Sequence, residues 1–246
     1  MPLDGSGSSS FSGVEKVVYL LMGPPGAAQL QLPESLREST VSQLRLLGAR
    51  GIQLNVTVPG LASPFAPPPT DQSPALQAAV SMWVDTAEGA AVGEALPDAG
   101  DIAGWHGYLV CESEPLRNTA HPPGRDGRVP GFAQLVPLVR PDRLTWEEWR
   151  EVWQGRHTPV AIGTQSSFRY VQNVVVRSLT PGAPPLAAVV EECFPIEAAS
   201  DLHVFFDAVG DDAKLTRNMT AMSQSCDGFM DGLTAIAWTA EYLFPD

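Results

Sequence analysis

The chain has 246 residues, 44% of them hydrophobic, and a formal net charge of −13. That apolar content can bury a substantial core in one large domain or two small ones, while the acidic balance argues against nucleic acid or an anionic membrane surface as partner. No run of 18 apolar residues occurs, which argues against a membrane-spanning helix.

In chain order, residues 1–13 are rich in Ser and Gly and lack the basic and apolar stretches of a secretion signal. They are expected to form a disordered tail on a soluble, cytoplasmic protein. A β-branched and aromatic run predicts a strand over 14–22, stopped by Gly23-Pro24-Pro25-Gly26. Leu36, Thr40, Gln43, Leu44 and Leu47 recur at helical spacing and predict a helix over 33–47, which Gly48 ends. A strand over 52–58, a Pro-rich loop over 59–74, a strand over 78–84, a short helix over 86–95 and a strand over 107–111 complete the first half. The second half repeats that order: strand 132–139, helix 145–156, strands 169–177 and 187–194, a helix near 198–208 and a last strand near 235–243. Thr145 and Glu148 have the spacing of a capping box. Residues 211–230 either extend the preceding helix or form a lid.

The two halves line up at an offset of 118, with Lys16 on Gln134 and Asn55 on Asn173, and no gap between the anchors. Each half is βαββαβ, the ferredoxin-like order. The expected fold is therefore α+β: two tandem ferredoxin-like modules at 14–112 and 132–246, joined by a linker at 113–131. One sheet face of each module needs cover, so the pair is expected to close into a barrel with a ligand cavity between its sheets.

Candidate chemistry concentrates in the second half. Trp149, Trp153 and His157 follow one another at i, i+4 and i+8, along one stripe of a helix. His157 is a candidate general acid or base, or simply a cap for its helix C-terminus. The tryptophans are core or substrate-stacking residues. On the strand that follows, Tyr170 and Asn173 are candidates for polarising a carbonyl; a structural hydrogen bond would equally explain Asn173, given its counterpart Asn55. His106 could reach a shared cavity from the other half, or sit in a turn. His203 and His121 are set aside as packing and linker residues. Glu191 and Glu192 are consecutive on a strand, so one of them points inward. It would either hold a raised pKa suited to proton transfer or pair with a cation such as Arg169. Phe206 joins Trp149, Trp153 and Glu192 as a candidate substrate contact. Cys111, Cys193 and Cys226 are too scattered for metal ligation and are expected as reduced, buried thiols. No metal, phosphate-loop or dinucleotide motif is present.

The series Leu144-Thr145-Trp146-Glu147-Glu148-Trp149, Trp153, His157-Thr158-Pro159 and Tyr170-Val171-Gln172-Asn173 resembles the EthD-like domain of the dimeric α+β barrel superfamily. The resemblance is carried by 132–208 and is topological over 14–111. It implies a barrel without cofactor or metal that accepts small hydrophobic or aromatic molecules, with His157, Tyr170 and Asn173 at the family's site positions. The expectation is a cofactor-independent lyase, a decarboxylase or dehydratase of a small carbonyl-containing substrate. The alternatives are a cofactor-free oxygenase of an aromatic substrate, and a non-catalytic binding or accessory protein. Whether the fused chain pairs further into a homodimer is left open.

Overall fold

The computed structural model describes residues 15–24, 34–58, 60–61, 63–65, 75–88, 91–97, 104–232 and 235–245. The predicted tail, most of the Pro-rich loop and the first turn of the predicted 33–47 helix lie outside these residues or have side chains that do.

Eight strands among them close into one antiparallel barrel. They are β1 (Glu15–Gly23), β2 (Arg50–Thr57), β3 (Ala75–Val84), β4 (Gly104–Leu116), β5 (Phe132–Leu138), β6 (Arg169–Ser178), β7 (Ala188–Phe194) and β8 (Ala237–Phe244). Around the barrel the order is β1-β3-β2-β8-β5-β7-β6-β4. Each half thus contributes four neighbouring strands in the same relative order, and the halves meet at two antiparallel seams, β2 with β8 and β4 with β6. Closure leaves no free sheet edge.

Helices cover the outside. The first half carries α1 (Glu34–Leu46) and α2 (Ala91–Glu94), shorter than the helix predicted over 86–95. The second half carries α3 (Trp146–Arg150), a π-helical segment (Glu151–His157), α4 (Thr158–Thr164), a 3-10 turn (Ile196–Ala199), α5 (Leu202–Phe205) and α6 (Asp212–Asp227). Asp211 caps α6 at the Lys214 amide, so residues 212–227 form a separate helix and not an extension of the one before. The predicted linker is shorter than its composition suggests. β4 runs on to Leu116, and Gly127 and Arg128 are strapped to β8 by Leu243 N–H to Gly127 O at 2.8 Å and a bridge to Tyr242. Gly131, at φ +90°, permits that crossing, because a Cβ there would lie 2.0 Å from the Phe194 carbonyl oxygen.

The predicted gapless repeat holds for one strand pair and slips in the other. Asn55 and Asn173 both face the barrel interior. Lys16 faces inward, towards Glu112, whereas Gln134 faces out. Matching β1 to β5 face for face requires a shift of one residue, since a single step exchanges the two sides of a strand.

Among the described residues side chains pack the barrel interior, and the cavity of the second half lies on the outer face of its sheet, not between the sheets as expected. Val18, Leu20, Tyr108, Leu135 and Val189 pack one end. At the other end lies a polar network that spans both halves. Arg169 donates to Glu241 at 2.5 Å, to Glu114 at 2.9 Å and to Gln53 at 3.2 Å. Glu191 accepts from Gln53 and, at 2.9 Å, from Asn173. Asn55 donates to Thr239 at 3.3 Å and accepts from Gln53 at 2.8 Å. Burial opposes the Arg169 charge, but Glu241 and Glu191 outweigh it and hold its pKa above the usual arginine value. Removing one partner of such a group strands the others without water. Arg169→Met is expected to destabilise the fold by about 3–5 kcal/mol at neutral pH, measured by urea denaturation.

Candidate active site

The second half of the sheet has a cavity on its outer face, beneath the π-helical segment, α5 and α6. Its volume is about 400 Å³, within the usual range for small-molecule sites. The matching face of the first half is packed solid by Tyr19, Leu44, Ile52, Leu54 and Met82.

The wall over the sheet is set by local chemistry. Thr145 and Glu148 form the predicted capping box, with Glu148 N–H to Thr145 Oγ1 at 3.2 Å and the reciprocal bond at 2.8 Å. The helix does not stop at 156 as predicted. It widens into the π turn, where the Thr158 amide reaches back five residues to the Trp153 carbonyl, which also accepts from the Thr158 hydroxyl at 3.0 Å. Pro159 gives the reason. It has no N–H for a regular helical bond, and its ring would clash with the preceding turn of an α-helix, so the widened turn accommodates it.

Trp153 and His157 line the cavity, whereas Trp149 is fully buried behind them, donating its indole N–H to the Phe229 carbonyl at 3.1 Å, its ring tilted against that of Trp153 with centroids 4.8 Å apart. His157 is 5% exposed, with Nδ1 2.8 Å from Ser225 Oγ and its ring 4.5 Å from that of Phe229. Burial pushes its pKa down to about 4, so the imidazole is neutral at pH 7 and is no proton donor of the imidazolium kind.

The floor is formed by Gln134, Glu192 and Tyr170, side by side across β5, β7 and β6, with Trp238 of β8 next to Gln134. Glu192 is 4% exposed. Its Oε2 accepts from Gln134 Nε2 at 3.0 Å, and its Oε1 is buried without a partner. Burial raises its pKa to about 7, against the smaller lowering effect of the Gln134 hydrogen bond. Tyr170 keeps its proton far above neutral, first through burial and then through the neighbouring Glu192. Cys226 on α6 is likewise pushed up to about 12. The two glutamates therefore realise both predicted alternatives, one on each face: Glu191 lies in the Arg169 network, and Glu192 faces the cavity with its pKa raised.

Phe206 lines the cavity with Phe65, Phe205, Met222 and Phe229. Two predicted site residues lie elsewhere. Asn173 points into the barrel because it is an odd number of residues from Tyr170 on an unbulged stretch of β6. His106 also faces the barrel interior, paired across from Leu20, so it forms no pair with His157. Cys111 is exposed, contrary to the expectation of three buried thiols. Gln134, Gln165 and, on α6, Met219, Met222 and Ser223 line the cavity without having been candidate site residues. A lone Gln in the apolar run of β5 was a usable signal; the α6 residues carried none before the helix was docked.

Folding raises the Glu192 pKa, so between about 4.5 and 7 the folded chain holds a proton that the unfolded chain has lost. Stability contributed by this group falls as pH rises through that window. Glu192→Gln is expected to exceed the unaltered protein by up to roughly 3 kcal/mol at pH 8.5 and to lose that advantage at pH 4.5, as read from urea midpoints at the two pH values.

Residues 141–232 match the EthD domain model. No curated protein matches the chain. Among solved structures, an anthrone oxidase-like protein is 10% identical with a TM-score of 0.50, over 94% of this chain and 91% of that one. A provisionally named chlorite dismutase aligns over 94% and 96%, at 10% identity and a TM-score of 0.43. A provisionally named monooxygenase from Lactobacillus acidophilus aligns over 94% and 94%, at 8% identity and 0.40. At 10% identity the likeness to the anthrone oxidase-like structure is one of fold. Residues 141–232 thus resemble an EthD domain, and the eight strands of the chain form a single α+β barrel within one polypeptide.

Proposed function

We propose that this protein is a cofactor-free oxygenase of a small, neutral aromatic molecule, with Glu192 as its base, built on two copies of a ferredoxin-like module of which only the second kept a site. The observation that carries this reading is the free Oε1 of Glu192, buried at an apolar cavity with no Lys or Arg among its described lining residues. A base with a pKa of about 7 is matched to proton abstraction near neutral pH.

The chemistry closes with dioxygen as the only co-reactant. The Glu192 carboxylate takes a proton from an activated CH2 of the substrate, leaving a carbanion delocalised over the ring system. One electron passes to dioxygen, and the two radicals combine through a new C–O bond. The resulting peroxide anion is protonated by Glu192. Loss of the second hydrogen as a proton, with cleavage of the O–O bond, gives a carbonyl and water. Tyr170, which stays protonated, supplies a donor for the oxyanion and peroxide stages. His157 is neutral and serves as a hydrogen-bonding wall. The name of the anthrone oxidase-like structure agrees with oxidation of this type.

The decarboxylase expected from the sequence fits less well. A carboxylate substrate would meet Glu192 and Asp227 with no cation among the described lining residues to offset them. Asn173, expected to help polarise a carbonyl, faces the barrel interior.

Purified protein supplied with anthrone in air is expected to consume one dioxygen per ketone formed, and Glu192→Gln to lower that rate by at least about 100-fold. Equal turnover under strict anaerobiosis, or release of carbon dioxide from a keto acid, would return the lyase reading. Unchanged oxygen uptake in Glu192→Gln would remove this carboxylate from the mechanism.

A further inference from the structure

We infer that the cavity selects its ligand through a hydroxyl group, a phenol or enol whose O–H is donated to Oε1 of Glu192, and that Gln134 and Trp238 position the carboxyl to receive it. This rests on the cavity being a small-molecule site, as proposed above, but not on the reaction performed there.

The orientation follows from donor and acceptor chemistry. The indole of Trp238 can only donate, and it does so to Gln134 Oε1 at 2.9 Å. That bond fixes which end of the amide is which, so the amide NH2 must face Glu192 and meets Oε2 at 3.0 Å. One carboxylate oxygen is thereby occupied and the other left free. All three side chains are buried, and Oε1 of Glu192 has no hydrogen-bond partner among the described residues.

An unpaired carboxylate oxygen in such a place calls for a donor. A methyl ether of the same ring offers none, and its oxygen lone pairs would face those of Glu192. A carboxylate ligand would be repelled. An ammonium would shed its hydration against an aromatic wall with one half-protonated carboxyl to receive it. A neutral hydroxyl on an aromatic frame satisfies the site at least desolvation cost. Gln165 has its own Oε1 buried without a partner on the same cavity and can turn its amide to meet a second polar group of the ligand.

The titratable groups around Glu192 are few. Tyr170 on β6 and Cys226 on α6 hold their protons well above neutral, His157 on the π segment loses its proton near pH 4, and Asp227 lies exposed at the end of α6. Between pH 5.5 and 8.5 the change in acceptor strength therefore belongs to Glu192, whose pKa burial raises and the Gln134 hydrogen bond lowers by less.

The test is calorimetric titration under nitrogen, with 9-phenanthrol and 9-methoxyphenanthrene as probes. At pH 8 the hydroxyl probe is expected to bind at least about 10-fold more tightly, the usual worth of a hydrogen bond to a charged group. Glu192→Leu should bring the two probes within about twofold. In Gln134→Leu the pH midpoint of the hydroxyl preference should move above that of the unaltered protein, since the amide no longer favours the anion, a shift that mere loosening of the sheet would not produce. Equal affinities for the two probes in the unaltered protein, or a preference that survives Glu192→Leu, would overturn the inference. An unmoved midpoint in Gln134→Leu would overturn the positioning role. Failure of both probes to bind would sink the cavity reading beneath the proposed function. Hydroxyl selectivity without any oxygen uptake would uphold the inference and reject the oxygenase.

Discussion

Arg169 is held among acidic side chains at the polar end of the barrel, and the positions of both consecutive glutamates follow from it. Its pairing with Glu241, beside Glu191, fixes which face of β6, β7 and β8 points inward. Once Glu191 is inside, strand geometry sends Glu192 out to the opposite face. A slip of one residue on β7 would place Glu192 beside the arginine and leave Glu191 in the cavity. The structural network and the candidate site are thus two sides of one register, and the residues that set it come from both halves of the chain.

This division of labour explains how closely related side chains acquire different chemistry. Glu191 is met by the amides of Gln53 and Asn173 and lies close to a guanidinium. Glu192 is met by one amide and faces a cavity lined mostly by rings, thioethers and a thiol. Desolvation without a compensating cation is what moves its proton affinity into the neutral range. The same contrast separates the outer faces of the two halves: α1 lies over a face filled by Tyr19, Leu44 and Ile52, whereas α6 leaves room beneath it.

Much of the architecture was legible in the sequence because it rests on local signals. Alternation and β-branched runs located the strands, and Thr145 with Glu148 marked a helix start that the structure reproduces atom for atom. The paired glutamates could be assigned to opposite faces from spacing alone. What could not be assigned was which face each would take, since that depends on register across strands far apart in the chain. The same gap hid the one-residue shift between β1 and β5 and put the expected cavity inside the barrel. His106 and Asn173 were then gathered into a site that lies on the other side of the sheet. The π turn was hidden for a related reason: Pro159 marks a break, but its cost falls on the turn before it. Gln134 became meaningful only when β8 and β7 were known to flank it.

A carboxyl that titrates near pH 7 has a consequence for how protons move at the site. Pushed up to about 7 by burial, the Glu192 carboxyl can both give up and take back its proton close to neutral pH. A molecule meeting the ionised form finds an acceptor, and the proton then retained is at hand for a later intermediate of the same visit. One side chain can in this way serve in alternation, and the arrangement needs no second titrating partner.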